Sequence, residues 1–82
     1  MPGPIKEENL INIFRNIFSE LATASDDIVK RATKDTLESW DSANHLLLIT
    51  CLEEDFRTKL SDSDAVSLDS FSGAKALIEA YS

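Results

Sequence analysis

The 82-residue chain has one cysteine, one histidine, one tryptophan, two glycines and two prolines, and each shortage closes a route. Cys51 has no internal partner for a disulfide, and with His45 it falls short of the four Cys and His ligands of a structural zinc site. A hydrophobic core must therefore hold the fold. So little Gly and Pro, with 43% apolar and 28% charged residues, excludes a collagen-like or disordered chain. No apolar run reaches the ~18 residues of a membrane span. The opening MPGPIKEENL lacks the apolar centre of a signal peptide, so the expected location is the cytoplasm. The length suits one domain, against a usual ~100–150 residues, and a domain this small seldom encloses a deep pocket. That favours a binding module over a self-contained enzyme.

Basic residues are also scarce. Eight Lys and Arg face fifteen Asp and Glu, for a net charge of −7. Residues 1–34 cancel, with Lys6, Arg15, Lys30, Arg31 and Lys34 against Glu7, Glu8, Glu20, Asp26 and Asp27. The whole imbalance thus lies from Asp35 onward, where the chain should repel nucleic acid and anionic membranes and attract basic protein patches.

What is present is helical periodicity. Residues 1–4 (MPGP) break any helix and are set aside as a leader, leaving 5–82 as the single domain. Over residues 7–23, Leu10, Phe14, Ile17, Phe18 and Leu21 recur at steps of three and four, which predicts a first amphipathic helix. Residues 24–39 have only Ile28, Val29, Ala32 and Leu37 as apolar anchors and read as a long ordered loop with room for one helical turn. A second long helix is expected over 42–57, capped by Asp41, with His45, Leu48, Ile49, Leu52 and Phe56 facing the core. Ser61 to Asp64 has the form of a capping box for a short helix through Val66. Asp69 or Ser70 should cap a last helix bearing Phe71, Ala74, Leu77, Ile78 and Tyr81. No strand pattern is visible. The expected fold is an all-α bundle of three longer helices and one short one, with a long first loop and a core of Phe14, Phe18, Leu48, Ile49, Leu52, Phe56, Leu68 and Leu77.

The segment WDSANHLLLITCLEEDF, from Trp40 to Phe56, carries the most chemistry. Ser42 follows the capping acid at the first turn of a helix, where a phosphate ester would meet free amide protons and the positive end of the helix dipole. With Asp41-Ser42 opening the helix, LEEDF at Leu52 to Phe56, an acidic short third helix and a final helix, nearly the whole chain resembles the acyl and peptidyl carrier proteins. The resemblance implies a four-helix carrier that is not an enzyme. It implies a 4'-phosphopantetheine arm on Ser42, derived from coenzyme A, which holds an acyl or aminoacyl cargo as a thioester. It also implies that Asp41 helps a phosphopantetheinyl transferase to recognise the site. Further expected partners are a loading enzyme and a downstream synthase or transferase, with the carrier itself monomeric and a short acyl cargo folded inward between the helices. The resemblance implies fatty acid or polyketide biosynthesis, but Ala43 stands where relatives usually have Leu, and Asn44 and Leu47 replace usual acids, which points away from the housekeeping fatty acid enzymes to a specialised carrier in a dedicated pathway. The outward row Ala43, Leu47, Thr50 and Glu54, with Glu53 beside it, is the expected partner surface, Leu47 its apolar anchor and the two Glu its steering charges.

Other constellations carry less. Asp41, Ser42 and His45 have the residue types of a hydrolytic triad but lack a walled pocket, and His45 reads as a histidine at the core edge near Trp40. Cys51 reads as a small core filler. Asp62, Asp64 and Asp69 lack the Gly and terminal Glu of a calcium loop and read as caps. An acidic helical interaction domain that is never modified, docking on a basic partner, is the other function this sequence accommodates.

Overall fold

The computed structural model describes residues 7–81, so the expected leader at 1–4 lies outside the described residues. The described residues are all-α: α1 Glu7–Ile17, α2 Asp26–Lys30, α3 Ser42–Asp55, α4 Asp62–Ser67 and α5 Phe71–Tyr81, with a 3-10 turn at Ser19–Leu21. Among the described residues there is no strand, only an isolated bridge between Thr33 and Ser70. None of these helices is long and apolar enough to cross a membrane.

Glu7 and Glu8 in the first turn of α1 and Arg15 in the last complement the helix dipole, and Leu10, Ile11, Ile13 and Phe14 form its buried face. The helix predicted to run through residue 23 stops at Ile17. Phe18 turns extended, with φ −102° and ψ 112°, and the chain tightens into the 3-10 turn. No Gly or Pro marks this break. Its counterpart is tertiary, because Phe18 is fully buried and stacks on Trp40 with ring centroids 4.9 Å apart.

The predicted long loop contains α2, so the described residues form five helices where the periodicity showed four. Ser25 caps α2 by accepting the Ile28 amide, Val29 is fully buried, and Arg15 reaches both the Ala24 carbonyl and Asp26 Oδ1 at 2.7 Å. Beyond it, Lys34 N donates to Asp69 O at 2.8 Å and Phe71 N to Ala32 O at 2.9 Å, which tie this segment to the start of α5. Glu7 gathers Lys30 at 3.1 Å and Lys75 at 2.9 Å, linking α1, α2 and α5.

α3 ends at Asp55, two residues before the predicted boundary. Arg57 follows with φ 51°, in the left-handed region that favours glycine, and Thr58 N closes the helix end onto Glu53 O at 3.1 Å. Ser61 Oγ accepts the Asp64 amide as predicted, but the reciprocal half of the box is replaced: Tyr81 Oη accepts the Ser61 amide at 3.1 Å and donates to Asp64 Oδ2 at 2.6 Å. Ser70, one of the two expected caps, receives the Gly73 amide at 2.9 Å and opens α5.

Phe14 is the centre of the core, with Phe18, Trp40 and Phe71 at centroid distances of 5.5, 5.8 and 5.1 Å. Leu48, Ile49, Leu52 and Leu68 are buried as predicted, while Phe56 and Leu77 are only partly buried and pack against this core.

Candidate functional site

Ser42 is the first residue of α3 and is exposed. Its position is set by residues on both sides. Trp40, 4% exposed, anchors the incoming loop in the aromatic core, and Asp41 is the N-cap, its Oδ1 accepting the Asn44 amide at 2.8 Å. Asn44 Nδ2 reaches back to Ser39 O at 2.7 Å, and the same carbonyl accepts the Asp41 amide at 2.9 Å. The turn bearing Ser42 is therefore hydrogen-bonded on both flanks while the serine itself faces solvent. Helix dipole and first-turn amides make the place favourable for an anionic ester.

His45 is the core-edge histidine expected from its spacing. Trp40 Nε1–H donates to His45 Nδ1 at 2.9 Å, so Nδ1 is the acceptor and the proton sits on Nε2, which donates to Ala65 O at 2.8 Å. Both ring nitrogens are committed, one to the loop before α3 and one to α4. Neither is left to take a proton from Ser42, and Asp41 is engaged with Asn44 rather than with the imidazole.

Beside Ser42, between α3 and α4, lies an open groove of about 840 Å³. Its apolar walls come from Trp40, Leu46, Ile49, Leu60, Ala65 and Val66, with Lys34 and Lys59 as cations among its lining residues. Phe14, Phe18, Leu48 and Leu52, on the inner side of this region, are fully buried.

Of the expected partner row, Ala43, Leu47, Thr50 and Glu54 are exposed, and Thr50 Oγ1 donates to Leu46 O at 3.0 Å. Glu53 differs. It is half-buried and its Oε2 accepts the Leu60 amide at 2.9 Å, so it braces the α3–α4 connection, and Glu54 alone of the expected steering pair is exposed. Two apolar residues escaped the sequence reading: Leu46 and Val66 are 67% and 81% exposed, against 48% for Leu47, and both border the groove. Val66 sits on a helix that buries none of its own residues, a signal the short length of α4 could have supplied.

Cys51 is half-buried; burial pushes its thiol above the ordinary value and the Asp55 and Glu54 carboxylates push it further, which favours the protonated form. Among the described residues no cluster of three or more His, Cys, Asp or Glu could hold a metal ion. Compared with known families, curated proteins and solved structures, the chain matches none.

Proposed function

We propose that this chain is a carrier protein whose Ser42 is the attachment point of a 4'-phosphopantetheine arm. The observation that carries the reading is the exposed Ser42 at the N-terminus of α3, directly behind a capping Asp41 and at the mouth of a groove with apolar walls. On this reading α1, α3, α4 and α5 are the four helices of a carrier bundle, and α2 is a turn of helix inside its long first loop. A phosphopantetheinyl transferase would use coenzyme A: Ser42 Oγ attacks the pantetheine-bearing phosphorus, the pyrophosphate bond breaks, adenosine bisphosphate leaves, and the serine proton passes to a base of the transferase.

The chain's own residues then have defined tasks. Asp41 caps the helix and presents the serine. The first-turn amides face the diester, whose charge the helix dipole stabilises by ~0.3–1 kcal/mol at an exposed site. The arm supplies the thiol that holds an acyl or aminoacyl group as a thioester. Leu46, Ile49, Leu60 and Val66 line a groove in which an apolar cargo can lie. Leu47, with Ala43, Thr50 and Glu54 around it, is the anchor for a loading enzyme or a downstream synthase or transferase. The substituted first turn of α3 supports a specialised biosynthetic pathway.

Intact-mass spectrometry after incubation with coenzyme A and a broad transferase tests the assignment. The wild-type chain should gain the mass of one phosphopantetheine group and Ser42→Ala none. A wild-type chain that gains nothing would mean an acidic helical interaction domain that is never modified, and a modified Ser42→Ala would place the arm on another residue.

A further inference from the structure

Building on the carrier reading, we infer that Glu20 is a positioning residue for the attachment turn: its carboxylate clasps Ser39 and thereby holds Asp41 and Ser42 in the geometry that the modifying enzyme meets. Glu20 Oε2 accepts the Ser39 amide at 3.0 Å and Oε1 accepts the Ser39 hydroxyl. Two bonds from one carboxylate to one residue fix both its distance and its rotation.

The clasp does not stop at Ser39. The Ser39 carbonyl accepts from Asp41 N and from Asn44 Nδ2, and Asn44 N donates to Asp41 Oδ1, so a continuous hydrogen-bonded path runs from Glu20 to the residues on either side of Ser42. Next to this polar link is an apolar one between the same two segments, the stack of Phe18 on Trp40. The stack is buried and holds the segments together, whereas Glu20 is exposed and adds orientation to a junction that is already made. The Ser39 hydroxyl, the backbone amide of Glu20 itself and the Ser39 amide hold the Glu20 carboxyl below its usual range, which keeps it ionised and accepting at neutral pH. A nucleophile whose turn is free to rotate reaches the reactive arrangement less often, and the loss appears in the chemical step rather than in docking.

Transferase kinetics on the wild-type chain, Glu20→Ala and Ser39→Ala test the role. Both variants should stay folded with melting temperatures within a few degrees of wild type. Their KM should change little, because α3 and its outward row are intact, and kcat should fall roughly three- to tenfold. In parallel, the Ser39 amide proton resonance should titrate with Glu20 in the wild type, with a midpoint below that of free glutamate, and lose that titration in Glu20→Gln. A modified wild type with unchanged kcat in Glu20→Ala overturns the positioning role alone. No modification of the wild type overturns the carrier reading and the positioning role with it, while the amide titration would still report whether the clasp exists.

Discussion

Removing the His45 imidazole tests how the loop, α3 and α4 are joined beside Ser42. In His45→Ala two hydrogen bonds disappear, to Trp40 Nε1 and to Ala65 O. Each contributes ~0.5–1.5 kcal/mol net, and a desolvated donor left without an acceptor costs ~1–3 kcal/mol. The Trp40 indole is nearly buried and would be such a donor, whereas Ala65 is half-exposed and can turn to water. The expected loss is therefore about 2–4 kcal/mol, a large share of the ~5–15 kcal/mol typical of a domain. Urea unfolding followed by the fluorescence of the single tryptophan measures it, with an unchanged slope against denaturant if the unfolded state is unaltered. His45→Phe keeps a ring but no hydrogen-bonding atom, and should lose a comparable amount. A cycle with Trp40→Phe, followed by circular dichroism, should give a coupling of at least ~0.5 kcal/mol. A loss below ~1 kcal/mol in both His45 variants, or no coupling, would refute the bridge.

Leu52→Ala should cost ~2–5 kcal/mol, because Leu52 is fully buried on the face of α3 turned to the core; a loss below ~1 kcal/mol on chemical denaturation would put the helix in the wrong phase. Leu47→Glu should leave the melting temperature nearly intact and weaken calorimetric binding to the cognate loading enzyme, where burial of the leucine could contribute ~1.5–3 kcal/mol. Unchanged affinity there, with a loss in Leu46→Glu, would move the anchor to the groove side of α3. Hydrogen bonds from Lys75 and then Lys30 hold the Glu7 carboxyl below its ordinary 4.5. Its contribution is therefore complete above that value and is lost as pH falls through the lower folded value, so Lys75→Met should flatten the acid limb of the stability profile. An unchanged acid limb would refute the linkage.

The sequence by itself determined the features that depend on neighbours a few residues apart. Apolar residues three and four apart placed α1, α3 and α5, since that period is the helix's own geometry, and Asp41, Ser61 and Ser70 announced their helix starts because a cap bonds an amide only two or three residues on. Ser42 was legible for the same reason: a first-turn position with free amides is a local property. α2 was missed as a helix because five residues around one buried valine are too few to display a period.

Only the tertiary structure decided where α1 stops. Continuing the helix would satisfy local preference, yet Phe18 leaves it to stack on Trp40, and that departure swings Glu20 onto Ser39, nineteen residues away in sequence. Glu53 likewise carries the charge of a surface residue, but its carboxylate is drawn to the Leu60 amide across the α3–α4 connection. Leu46 and Val66 are ordinary apolar residues in sequence and become the rim of a groove only when His45 fastens α4 beside α3, with Tyr81 holding α4 from the α5 side. Periodicity and capping report the helix a residue belongs to; the partner across a groove or turn is chosen when the chain closes on its core, where burial of Phe14, Phe18, Trp40 and Phe71 outweighs the preferences of any single segment.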